Sequence, residues 1–457
     1  MLAPPSAPPG GSVTVGGSGF APFEALDIFF DTTDLQLALA DSSGGLPPHD
    51  VGTPPGALPG RHWISVVGRQ NGTGAQLAFT VNTNWTQAGF GPRGTRNNAS
   101  ENLLGTATVA MLDGLWSAIT GAAIYSSPAV VNGVVYVGSD DNSLYAFNAR
   151  TGAVIWSAPT LGFVQSSPAV ANSVVYAGSF DGSLYAFDTQ TGAKLWSTAT
   201  GNAIASSPTI ANAQVFVGSN DASLYAFNGA TGAKLWSAAT GGAVSSSPAI
   251  ANGVAFVGSQ DKSVYAFNAL TGAKLWSAVT AAAVYASPVV ANGIVYVGSS
   301  DKSLYAFNAR TGAKLWSAAT GFAIQAGAAV ANGVVYVGSQ DNKLYAFNAV
   351  NGVRLWAAAT GSAIYASPAV ANGVVYVGSE DNNLYAFNAT TGALLWAAAT
   401  GNQIVAAPVV ANGVVFLGAF DGSLYAFSTS GRAARTAHVA APRLSSLHRD
   451  ITLALTH

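Results

Sequence analysis

From residue 126 to residue 427 the apolar residues fall into runs of four to seven, β-branched or aromatic, each closed by a turn signal. Ala129-Val130-Val131 ends at Asn132-Gly133, a strong two-residue hairpin signal. Val134-Val135-Tyr136-Val137 leads to Asp141-Asn142, where an Asp side chain can bond the backbone two residues on. Leu144-Tyr145-Ala146-Phe147 leads to Thr151-Gly152, and a fourth run carries Trp156. The pattern predicts strands over 126–131, 134–139 and 144–149, then a Trp-bearing strand. No stretch holds the 3.6-residue period or the capping residues of a helix.

The unit returns every 40 residues, marked by Trp116, Trp156, Trp196, Trp236, Trp276, Trp316, Trp356 and Trp396. The turn aspartates Asp141, Asp181, Asp221, Asp261, Asp301, Asp341, Asp381 and Asp421 keep the same spacing. A fixed period of this length signals supersecondary units that bury their apolar faces only against neighbours. Four antiparallel strands per unit is the pattern of a propeller blade. The last copy, Leu424-Tyr425-Ala426-Phe427, reaches no Trp strand of its own, while a spare one, Leu115-Trp116-Ser117, precedes the first copy. Pairing the two predicts an all-β fold, an eight-bladed β-propeller closed by an N-terminal outer strand that leaves no open edge.

Around this array, residues 112–431, lie three other regions. Residues 1–83 alternate apolar and polar positions, as in Ser12-Val13-Thr14-Val15 and Trp63-Ile64-Ser65-Val66-Val67, between Pro- and Gly-rich turns, which predicts a small β-sandwich. Residues 84–111 read as a polar connector containing Arg93, Arg96, Asn97, Asn98 and Asn102, and residues 432–457 as an irregular tail. The start, Met1-Leu2-Ala3-Pro4-Pro5-Ser6, has neither a charged n-region nor an apolar h-region. The expectation is a mature protein whose signal sequence was removed and to which Met1 was added, exported to the surface or surroundings of a bacterium.

Composition narrows the partners. Charged residues are 8% of the chain and the formal net charge is −2, so no basic face for nucleic acid or anionic lipid is expected. Gly and Pro interrupt every apolar run before the ~18 residues of a membrane helix. With no cysteine, disulfides, thiolate metal sites and cysteine nucleophiles are excluded.

The segment Pro8-Pro9-Gly10-Gly11-Ser12-Val13-Thr14-Val15-Gly16-Gly17-Ser18-Gly19-Phe20 resembles the start of the immunoglobulin-like TIG domains of bacterial surface proteins. Ala146-Phe147-Asn148-Ala149-Arg150-Thr151-Gly152-Ala153-Val154-Ile155-Trp156 resembles the tryptophan-docking motif of the pyrroloquinoline-quinone (PQQ)-type propellers. That resemblance implies that each Trp wedges between neighbouring blades. Some members of that family are quinoprotein dehydrogenases, which hold PQQ and calcium over the propeller centre beneath long inserted loops. Others are non-enzymatic, such as the outer-membrane assembly lipoprotein whose propeller binds proteins. This chain carries no such insertions and no vicinal cysteine pair.

None of the five histidines falls within the repeats, so no His base, catalytic triad or His metal cluster is expected there, and no catalytic or metal-ligating residue is assigned. One carboxylate per unit at the same turn reads as a turn cap. Comparing units with one another points elsewhere. The residue before the Ser-Ser-Pro signature reads Tyr125, Gln165, Ala205, Ser245, Tyr285, Gln325, Tyr365 and Val405. The residue before the turn aspartate reads Asp140, Phe180, Asn220, Gln260, Ser300, Gln340, Glu380 and Phe420. Both columns are expected on one rim beside the central channel, where neutral drift of exposed positions would also produce such variety. The expected contact set is Tyr125, Gln165, Phe180, Tyr285, Gln325, Tyr365, Glu380 and Phe420. It suits a protein or carbohydrate partner of a monomeric, non-catalytic scaffold that needs no cofactor. The alternative is a PQQ- and calcium-dependent oxidoreductase acting on alcohols or sugars, with the hub of the ring as its site.

Overall fold

The computed structural model describes residues 2–70, 72–429 and 437–438. The tail expected at 432–457 lies outside the described residues apart from 437–438, as does Asn71. The chain forms two compact units, the first containing 1–84 and 100–103, the second 85–99 and 104–431.

In the first unit two sheets share one core. One sheet holds Leu2–Ala3, Ser12–Ser18 and Gly45–Gly52; the other runs through Ser6–Ala7, Gly74–Val81, Gly60–Gly68, Ala25–Phe30 and Thr33–Leu39. Alternation sends Val13, Val15, Leu26, Ile28, Phe30, Ile64, Phe79 and Val81 inward together. Asp27 is buried but receives Arg69 in a two-pronged ion pair, with Nη2 2.6 Å from Oδ1.

The second unit consists of four-stranded antiparallel sheets in sequence order, one of them extended by Asn97–Asn98 as a parallel fifth strand, the arrangement of a propeller. The first blade joins Ala129–Val131, Val134–Ser139, Ser143–Asn148 and Val154–Pro159, and six more follow the same order. The eighth takes its inner three strands from Val409–Ala411, Val414–Gly418 and Ser423–Thr429, and its outer strand from Leu112–Ile119. There Trp116 pairs with Ala426, as Trp156 pairs with Ala146 in the first blade. The innermost strand has only three residues per blade, because the signature ahead of it leaves the sheet to form the hub. Its hairpin turns on Asn132 and Gly133 at φ 51° and 80°, the pair of left-handed residues a type I′ turn requires.

Each Trp side chain ties its blade to the next. Trp156 Nε1 donates to the Thr189 carbonyl at 3.0 Å and Trp236 Nε1 to that of Ala269 at 3.1 Å. Trp396 reaches across the closing seam to the Leu112 carbonyl at 3.0 Å. The indole lies on a turn glycine of the following blade; a Cβ on Gly272 would stand 2.7 Å from the Trp236 ring. The turn aspartates pin the interblade loops. Asp221 accepts from the Tyr225 hydroxyl at 2.7 Å and from the Gly201 N–H at 2.7 Å, an arrangement repeated with small variations around the ring. These carboxylates are occupied by structure, which accounts for one in every unit.

Candidate functional site

The two variable columns meet on the rim, each blade's signature residue against the turn residue of the blade before it. Gln165 Nε2 donates to Asp140 Oδ2 at 3.2 Å, and the Ser245 hydroxyl to Asn220 Oδ1 at 3.1 Å. At the closing seam Tyr125 packs on Phe420 with ring centroids 4.2 Å apart. Tyr125, Phe180 and Tyr285 are exposed, and Gln165, Gln325, Tyr365, Glu380 and Phe420 are half-buried. Burial raises the pKa of the Asp140 carboxyl; Gln165 opposes that shift and Asp141 adds to it. Burial and the facing Asp140 likewise raise the Tyr125 phenol, as burial and Glu380 raise Tyr365.

Three apolar residues missed by the column comparison join this rim. Phe163 lies 6.3 Å from Phe180, Phe322 lies beneath the Lys302 ammonium at 5.3 Å, and Leu161 is 87% exposed. The signal was present in the sequence. Leu161 and Phe163 stand where the neighbouring units have Gly201 and Ala203, and Phe322 stands where its neighbours have Ala282 and Ser362.

The hub departs from expectation. Residues 85–98, read as part of a connector, run around the inner strands of all eight blades. The Val130 N–H donates to the Trp85 carbonyl and Val170 to that of Thr86, both at 2.8 Å. Ile250, Val290, Val330 and Val370 donate in turn to the carbonyls of Pro92, Arg93, Thr95 and Arg96. Gln87 Oε1 accepts from Ile210, and Asn98 Nδ2 donates to the Val410 carbonyl. The strap satisfies exposed inner-strand amides that a bare ring would leave to water.

Above it lies a ring of signature serines. The Ser127 N–H donates to Ser167 Oγ at 3.0 Å, Ser167 to Ser207 at 2.9 Å and Ser207 to Ser247 at 3.0 Å. Ser247 continues to Ser287, the Gly327 N–H donates to Ser367 Oγ, and the Ala407 N–H returns to Ser127 Oγ at 2.9 Å. Strap and serines line a cavity of about 110 Å³ together with Arg96.

The repeat family described as outer membrane protein assembly factor BamB matches residues 105–219, 181–319, 220–363 and 359–455. The chain belongs to this family. Together the matches run from 105 to 455, covering the array expected to be of PQQ type. No curated protein matches the chain. Among solved structures, a europium-containing methanol dehydrogenase superposes with TM-score 0.66 at 15% identity, over 76% of this chain and 98% of its own. BamB from Moraxella catarrhalis does so with TM-score 0.61 at 19% identity, over 70% and 98%. Quinohemoprotein alcohol dehydrogenase from Comamonas testosteroni gives 0.67 at 17% identity, over 77% and 81%. At these identities the likeness establishes the propeller fold.

The hub's donor set does not fit the calcium and quinone of the dehydrogenase alternative. Calcium takes six to eight oxygen ligands, usually including carboxylates. The cavity is lined by serines, glycines, alanines, prolines, Thr209, Val289 and a cationic side chain, with no carboxylate. Its volume of about 110 Å³ also falls below the roughly 300–1,000 Å³ of pockets that enclose drug-sized ligands.

Proposed function

We propose that this protein is a non-catalytic extracytoplasmic scaffold that captures a protein or carbohydrate partner on the rim bearing Tyr125, Phe180, Tyr285 and Tyr365. The observation carrying this reading is the pairing of the two variable columns into one continuous face. Exposed aromatic rings there stand beside hydrogen-bonding Gln, Asn and Asp groups. Aromatic anchors with polar neighbours are what protein and sugar interfaces concentrate. Family membership supports the same reading, since the family is described by an assembly factor. An immunoglobulin-like first domain over 1–83 and export from a bacterial cell belong to this proposal.

The test is a triple substitution of Tyr125, Tyr285 and Tyr365 to Ala, with immobilised protein probed against peptide and glycan arrays. Ligands retained by the parent protein should be lost while the melting temperature stays unchanged; equal retention by the variant refutes the site. The rival, a PQQ- and calcium-dependent oxidoreductase, draws on the two dehydrogenase neighbours. It requires that reconstitution with PQQ and calcium give dye reduction with alcohols or sugars.

A further inference from the structure

We propose that the propeller hub is a binding site for one small oxyanion, phosphate, sulfate or carboxylate, held by the Arg96 guanidinium and the ring of serine hydroxyls. This site is separate from the rim and does not depend on what the rim binds.

Arg96 is 7% exposed and is one of the residues that line the cavity. Its Nε donates to the Pro368 carbonyl at 3.0 Å, whereas Nη2 has no partner. Among the described residues the ion pairs are His62 with Asp31 and Arg69 with Asp27, so Arg96 is a buried cation with no counter-charge. A charge taken out of water without a partner is strongly destabilising, and an anion in the cavity would remove that cost. Burial alone brings the pKa of this guanidinium down to about 10, so it remains protonated at neutral pH.

Its placement is built rather than incidental. Arg96 has φ 51°, a left-handed conformation costly for a side chain of this size. Two backbone hydrogen bonds hold it there, its N–H to the Gly89 carbonyl and its carbonyl from the Val370 N–H, both at 2.9 Å. Gly89 and Gly94 let the strap fold tightly around it: a Cβ on Gly89 would lie 2.4 Å from the Gly94 Cα.

The serine ring complements the cation. Each Oγ of Ser167, Ser207, Ser247 and Ser287 already accepts a backbone N–H, so its own proton is left to point into the cavity. The ring breaks its eightfold repeat beside the place where Arg96 enters. Gly327 and Ala407 replace serine on either side of Ser367, whose neighbour Pro368 holds the guanidinium. A Cβ at Gly327 would lie 3.1 Å from Ser367 Oγ, so the ring is already tight at this break. Hydroxyl donors around a forked guanidinium match a planar or tetrahedral oxyanion. A cavity of about 110 Å³ restricts the ligand to a few heavy atoms.

The full chain should be titrated calorimetrically with inorganic phosphate, sulfate and acetate at constant ionic strength, with chloride as control, and melted in each salt. Saturable heat and a raised melting temperature are expected with at least one of the three. The strongest responder distinguishes tetrahedral anions from a carboxylate. Arg96→Gln should weaken that affinity about tenfold or more, the loss of a charged hydrogen bond, and Arg96→Lys should weaken it less. Should Arg96→Gln fail to fold, the double variant Ser207→Ala with Ser247→Ala serves instead. Alanine already occupies this column at Ala407, and the double variant should bind more weakly than the parent. No saturable response to any of the three anions overturns the site, as does undiminished affinity in a folded Arg96→Gln or in the serine pair.

Discussion

The perimeter and the hub of this propeller obey different rules. Around the perimeter, every blade repeats the same Trp and the same Asp–Tyr pair, and all but the closing blade the same turn glycine, because the blades must solve the same packing problem. At the hub, a single strap meets eight equivalent strands, six through its backbone carbonyls and two through side chains. Trp85 and Thr86 offer carbonyls, Gln87 a side-chain oxygen and Asn98 a side-chain amide. The eightfold ring therefore acquires one distinguished direction, set by Arg96 between the sixth and eighth blades. Repetition here records what packing requires, and departure from it records where the single strap meets the ring.

The perimeter is where substitution should cost most. Trp236→Ala removes a buried indole and its hydrogen bond to Ala269, and should lower the unfolding free energy by about 3–5 kcal/mol, read from the urea midpoint. A cost below about 1 kcal/mol would mean that adjacent blades hold together without the indole. Two glycine columns sharpen the point, because both have positive φ. Gly272, at 73°, lies against the Trp236 ring, so Gly272→Ala combines left-handed strain with a clash, about 2–4 kcal/mol together. Gly253, at 75°, has nothing within 4 Å of its Cβ position, and Gly253→Ala should cost only about 1 kcal/mol by the same melting assay. The repeats already carry out this second experiment, with Ser173 and Ala213 in the Gly253 column at φ 62° and 60°. The Gly272 column admits no such exchange from Gly152 to Gly392. Equal costs for the two variants would show that backbone strain, not the indole, keeps that column glycine.

The same contrast explains what the sequence could and could not reveal. The hairpins and the pairing of the Trp116 strand with the last copy were legible because each leaves a side-chain signature at a fixed period, whereas the innermost strand, expected over 126–131, is only Ala129–Val131. The rim columns were legible as variability inside an otherwise constant frame, though Phe163 and Phe322 escaped because they lie in other columns of the interblade loop. The strap was not legible. Its work is done largely by backbone carbonyls of Trp85, Thr86, Pro92, Arg93, Thr95 and Arg96, and any residue supplies a carbonyl. Arg96 looked like one polar residue among several, since nothing in the spacing says that it turns inward while Arg93 faces out.

Smaller effects should separate the two units by pH. In the propeller, burial and the facing aspartates push the phenols of Tyr145, Tyr185 and Tyr345 up to about 12. A raised phenol contributes stability that is complete below its unfolded value of 10.0 and lost as pH rises toward 12. Burial works to raise Asp181 and Asp381, yet the hydrogen bonds from Tyr185 and Tyr385 and nearby N–H groups outweigh it and hold both low. Their contribution is present above 3.8 and disappears as pH falls through the lowered folded values. Between these limits, apart from the raised Asp140 carboxyl near the acid end, the propeller should melt at nearly constant temperature.

The first unit should not. His62 presents Nδ1 to Asp31 Oδ2 and Nε2 to the Leu58 carbonyl, both at 2.7 Å, so only the doubly protonated ring satisfies both acceptors. Burial opposes that charge, but the two hydrogen bonds prevail and raise its pKa above 6.5. The stabilisation is therefore complete below 6.5 and fades as pH rises through the folded value, within a window where the propeller does not change. Melting followed from pH 5 to 9 should show the first unit's transition falling while the propeller's stays level, and His62→Gln should flatten that fall. A first-unit transition already level across this range would place the neutral imidazole in the folded state, with one of the two hydrogen bonds, to Asp31 or to Leu58, lost according to its tautomer.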